Sequence, residues 1–120
     1  MTSLETLLPK SRVPAVRIRL ANAAPLRPGA DYVLYWMTGA RRTHYNFALE
    51  RAIEWARALG RPLVVLEALR VAYPWANDRL HTFILQGMGD NARRFVAAGI
   101  AHLPYVEPTR GEGATSSRWR

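Results

Sequence analysis

One run constrains the fold more than any other: Tyr32-Val33-Leu34-Tyr35-Trp36-Met37. An unbroken apolar run of this length, rich in aromatic and branched residues, suits a strand buried on both faces better than a half-exposed one. A polar bend carrying Thr38, Gly39, Arg41 and Arg42 follows, and at Asn46 and Phe47 the pattern turns helical. A buried strand that passes through a glycine-containing turn into a helix is the opening of a βαβ unit in a parallel sheet. Ligands of open α/β sheets sit where such strands end. Thr38, Gly39, Arg41, Arg42 and Asn46 are therefore the candidate ligand-binding or domain-contact residues.

The rest of the chain continues the alternation. Leu49, Ala52, Ile53, Ala56 and Leu59 recur at helical spacing, with Glu50, Arg51, Glu54 and Arg57 on the other side and Gly60 as a natural stop. Leu63 to Leu66 form a second buried strand. Residues 68–77, ALRVAYPWAN, read as an aromatic loop, and Asn77 or Asp78 can cap the next helix. That helix is expected to bury Leu80, Ile84, Met88 and Phe95, with Phe83 and Val96 flanking, and to stop at Gly99. His102 to Val106 then gives a third strand, in which Pro104 argues for an edge position. The fold class is α/β: a three-layer, Rossmann-like (doubly wound) parallel sheet, present as an incomplete β-α-β-α-β portion. If the strand order is 3-2-1, the first strand lies at an open, strongly hydrophobic edge that further strands would cover.

Three stretches are expected. Residues 1–30 carry Pro9, Pro14, Pro25 and Pro28 and read as an irregular arm; within it Val16, Ile18 and Leu20 alternate with arginines, as in a short edge strand or an extended arm. Residues 31–107 form the α/β domain. Residues 108–120 lack periodicity and are expected to be disordered.

Bulk properties exclude several classes. Cysteine is absent, which removes disulfides, thiolate metal sites and cysteine nucleophiles. No apolar run is long enough to span a membrane, and the opening MTSLETLLPKSR has no signal-peptide pattern, so a cytoplasmic location is expected. Lys plus Arg number 17 against 9 acids, for a net charge of +8, and Lys10 is the only lysine. Arginine suits phosphate recognition, but these arginines are dispersed, and a high-GC genome, which enriches Arg and Ala together, accounts for the bias without a dedicated nucleic-acid surface.

The segments YVLYWM…R…NFAL, GRPLVVLEAL and RLHTFILQGM together resemble the N-terminal α/β domain of DNA photolyases, closest to the class II, cyclobutane pyrimidine dimer branch. Trp36, Met37, Arg42, Asn46, Phe47, Ala48 and Leu49 match the first motif; Arg79, Phe83, Leu85, Gly87 and Met88 match the second. Gly39 and Ala40 replace the arginine and aspartate usual in the bend, and Tyr45 replaces the aspartate before Asn46. The resemblance implies the antenna or scaffold domain of a light-driven lyase that splits dimers in damaged DNA with FAD. It implies an antenna chromophore of deazaflavin or folate type in the full-length family, and a C-terminal helical flavin domain as partner. That helical domain is expected to be missing from this chain, which alone should hold no cofactor and perform no repair.

Other signals are weaker. Gly87-Met88-Gly89-Asp90-Asn91-Ala92 has dinucleotide-fingerprint spacing but lies inside a helical pattern, where it favours close packing. His44, His81 and His102 are too scattered for a local metal motif and read as surface or loop residues. Trp36 and Trp55 read as packing residues, and Trp75 lies in the loop. Two other functions compete: a stand-alone nucleotide-binding module for ATP or AMP, which the missing phosphate loop disfavours, and a small basic DNA-binding protein, which the dispersed arginines disfavour.

Overall fold

The structure, a computed structural model, describes residues 11–27, 29–70 and 76–107. Along them run β1 (Val33–Met37), α1 (Phe47–Leu59), β2 (Leu63–Leu69), α2 (Asp78–Ala97) and β3 (Ala101–Val106). The strands pair in parallel in the order β1-β2-β3, with Tyr35 opposite Val65 and Val65 opposite His102. This is the β-α-β-α-β order the periodicity implies, an open α/β sheet consistent with an incomplete Rossmann-like fold. β1 occupies one edge, and β3, with Pro104, the other.

Each helix starts and stops for a local reason. The Asn46 side chain accepts from the Leu49 amide, and the Asn77 side chain from the Leu80 amide, satisfying donors that have no partner within the helix. Of the two candidate caps for α2, Asn77 takes the role. After α1, Gly60 turns left-handed at φ 63°, a conformation that costs glycine nothing, and returns its amide to Ala56 and Arg57. Gly99, at φ 72°, follows the end of α2.

Both helices cover the same face of the sheet. Leu49 and Ala52 of α1 and Phe95 of α2 join Met37, Leu63 and Val65 in one core, against which Val33, Tyr35 and Ile53 pack. Right-handed crossovers place both helices on one side when strand order follows chain order. Alternation then turns Leu34, Trp36, Val64 and Leu66 to the opposite face, which no helix or strand covers among the described residues.

That geometry corrects several sequence expectations. β1 is not buried on both sides: Leu34 is 39% exposed, because no helix or strand among the described residues covers its face. β2 runs on to Leu69, past the Leu66 limit, so Glu67 lies within a strand. Val16, Ile18 and Leu20 form no strand; Ala15–Arg17 make a single 3₁₀ turn, and Val16 and Leu20 face solvent. On α2, Met88 and Phe95 are buried as expected, but Leu80 is exposed and Asn91 takes the intervening buried position. The loop segment 71–75 with Trp75, the arm before residue 11, Pro28 and the segment from residue 108 lie outside the described residues. No described helix is long and apolar enough to cross a membrane.

Candidate functional site

The bend after β1 sits at the C-terminal ends of the strands, and its polar side chains are turned inward. Asn46 is buried. Besides capping α1, its amide nitrogen donates to the carbonyls of Ala40 and Arg42 and to the Tyr35 hydroxyl, each at 3.0 Å. One side chain thus fixes the bend to both the strand before it and the helix after it. Arg42 spans a shorter loop, donating from Nε and Nη2 to the Tyr45 carbonyl. Tyr45 itself stands at φ 51°, a region few non-glycine residues occupy. Thr38 and Gly39 are exposed at the start of the bend.

Arg41 reaches the other way, across the end of β2. Its Nη1 pairs with Glu67 Oε2 at 3.3 Å, and its Nη2 donates to the Ala68 carbonyl. Glu67 is 0% exposed although it lies in the apolar run of β2. A carboxylate there requires donors on both oxygens, since an unpaired buried charge is very costly. Three side chains supply them. Besides Arg41, Asn91 Nδ2 of α2 lies 3.2 Å from Oε1, and His102 Nε2 of β3 lies 3.1 Å from the same oxygen. Asn91 also donates to the Arg41 carbonyl at 3.2 Å.

His102 is not the surface histidine expected from the sequence. Its side chain is 2% exposed and stacks on Phe95 with ring centroids 5.3 Å apart. Nε2 faces the carboxylate, and Nδ1 is buried without a hydrogen-bond partner. The cluster joins the bend, β2, α2 and β3, and its carboxylate is closed to solvent. Its chemistry is that of a tie between elements, with both Glu67 oxygens engaged by neighbouring side chains.

Of the predicted candidates, Arg41, Arg42 and Asn46 are thus held in contacts within the chain, and Thr38 and Gly39 remain at the surface. Sequence reasoning missed Glu67, Asn91 and His102. The available signal was an acid inside a strand-forming apolar run; its partners become identifiable only once the strand register places His102 beside it. Among the described residues no group of three or more His, Asp or Glu side chains is arranged to hold a metal ion.

The chain is 41% identical over 86 residues to the deoxyribodipyrimidine photo-lyase of Methanothermobacter thermautotrophicus; the aligned part makes up 72% of this chain and 19% of that protein. The chain therefore spans about a fifth of the length of the curated relative it matches. This likeness supports a relationship to the photolyase family. No family model matches the chain, and no solved structure matches it significantly.

Proposed function

We propose that this chain forms the N-terminal antenna or scaffold portion of a light-dependent DNA repair enzyme of the photolyase kind, class II-like, in which FAD drives the splitting of cyclobutane pyrimidine dimers. The observation that carries this reading is the 41% identity over 86 residues to a curated photolyase. The βαβαβ unit, with its bend fixed by Arg41, Arg42 and Asn46, is compatible with it.

Within this reading the chain's own part is structural. The described residues do not fit FAD. Gly87, Gly89 and Ala92 lie within α2, where backbone amides are committed to the helical ladder and cannot turn to a pyrophosphate. FAD and the pocket for the damaged base pair then belong to a helical flavin domain. Thr38 and Gly39 offer exposed backbone to such a domain, while Asn46 and Arg42 hold the bend in shape behind them. An antenna pigment of deazaflavin or folate type would have to be held by surfaces other than the inward-turned Arg41 and Asn46.

The test is coexpression of the chain with the helical flavin domain of the Methanothermobacter enzyme. The expected result is a copurifying complex with a flavin spectrum that restores dimers in an irradiated oligonucleotide under blue light. The chain alone should show neither flavin nor repair. A chain that purifies with flavin by itself, or that never associates with the helical domain, would overturn the reading.

A further inference from the structure

A cleft of about 420 Å³ lies between the N-terminal arm and the start of α1, lined by Arg17, Ile18 and Arg19 on one side and Phe47, Ala48 and Arg51 on the other. Its charge is unbalanced. Arg17 and Arg19 are exposed, and among the described residues neither pairs with a carboxylate. The Arg17 guanidinium instead stands 5.7 Å from the centre of the Phe47 ring. Arg51 bonds Glu54 through Nη1 at 3.0 Å and its guanidinium stands 5.3 Å from the centre of the Trp55 ring, with Nε and Nη2 shielded from solvent. Glu54 is already engaged by Ser11, the Arg12 amide and Arg51. Glu50, in the first turn of α1, is the other acid at this end.

We propose that this cleft binds the phosphates of a nucleic-acid strand. Arginine forks match phosphate oxygens with paired, charge-assisted hydrogen bonds. An anion in the cleft would meet the exposed guanidinium groups of Arg17 and Arg19, which pair with no carboxylate among the described residues. Phe47 and Ile18 give the apolar wall on which a sugar or base can rest, as in grooves that track single strands with mixed charge and aromatic contact. A cleft of this volume falls in the range of small-ligand sites, enough for one nucleotide unit of a strand continuing across the surface. The net charge of +8 draws such a polyanion toward the chain. Free phosphate and mononucleotides share this chemistry, and the experiment separates them. The inference is independent of the photolyase relationship, and no repair assay enters its test.

The measurement is fluorescence anisotropy of a labelled oligothymidylate titrated with the full 120-residue chain over a series of salt concentrations. R17A/R19A should weaken binding about tenfold at low salt and make the log–log salt slope shallower by about 1.4, the loss of two single-strand phosphate contacts. The control R93A/R94A removes equal charge from exposed positions on α2 and should cost less than about threefold. Melting temperatures of both variants should match the parent chain. Equal losses from the two pairs would reduce the effect to diffuse charge and overturn the proposal, as would no binding by the parent chain. Displacement of the oligonucleotide by inorganic phosphate or AMP at equal phosphate concentration would overturn it too, by making the cleft a small-anion site.

Discussion

At the scale of single residues, the buried polar groups carry the sharpest consequences. E67A leaves Arg41, Asn91 and His102 with donors directed at a void, and removal of one partner from a buried charged network costs about 3 kcal/mol. A urea unfolding series should show that loss as a lower midpoint at unchanged slope. Asn46 gives a finer test. Asn and Asp are equivalent at an ordinary helix N-cap, but here the amide nitrogen also donates to Ala40 and Arg42. N46D keeps the cap acceptor and sets a carboxylate against two carbonyls, so it should destabilise by about 2 kcal/mol; a melt indistinguishable from the parent would show the bend does not need that side chain. Glu54 ties the arm to α1. Desolvation pushes its pKa up, but hydrogen bonds from Ser11, the Arg12 amide and Arg51, with the Arg51 charge, outweigh it and hold the carboxyl below its usual value of 4.5. A depressed folded-state pKa means stability that is present above the unfolded value and lost as pH falls through the folded one. The parent should therefore exceed E54Q in stability at neutral pH, and the two melting curves should converge in acid below about pH 4.5. None of these three roles was wholly legible in the sequence. Asn46 marked where the helical pattern opens, though not the contacts it makes, whereas Glu67 and His102 are 35 positions apart and meet only through the sheet register.

Elements were more legible than contacts, and α2 shows why. Period and caps locate a helix because they are local, so Asn77 and Gly99 bracket it closely. Which side of it is buried depends on what the sheet offers. The stripe through Leu80, Ile84, Met88 and Phe95 assumed cover along the whole helix, but only the end beside β3 and β2 packs deeply, with Asn91 drawn in by Glu67. Phe83 and Phe95 therefore have opposite fates on one helix: 74% exposed against 2%. F95A should cost roughly 3–5 kcal/mol through the cavity it leaves beside His102 and Val65. F83A should stay within about 0.5 kcal/mol, as exposed substitutions do. Paired chemical denaturation of the two variants checks this, and comparable losses would mean that Phe83 is covered in solution.

For the molecule as a whole, the arithmetic of layers decides behaviour. Strands as apolar as β1 and β2 are suited to cover on both faces, and the helices supply one. On the other, Leu34 and Leu103 are 39% and 54% exposed, and pairing of Leu66 with Leu103 and Ala68 with Tyr105 makes the surface continuous from strand to strand. Among the described residues, the open edge foreseen from the sequence is thus part of a larger face that no helix or strand covers, a difference invisible to periodicity because it depends on both crossovers having the same hand. Contiguous apolar surface of this kind seeks partners. Purified alone, the chain should self-associate, with sedimentation velocity showing a weight-average mass that rises with concentration. L34K/L103K places charges on that face without touching the helix-side core, so it should sediment as a monomer and keep the parent's melting temperature. A parent chain that remains monomeric at every concentration would mean this face is covered in solution, and the one-sided layering would no longer describe the whole chain.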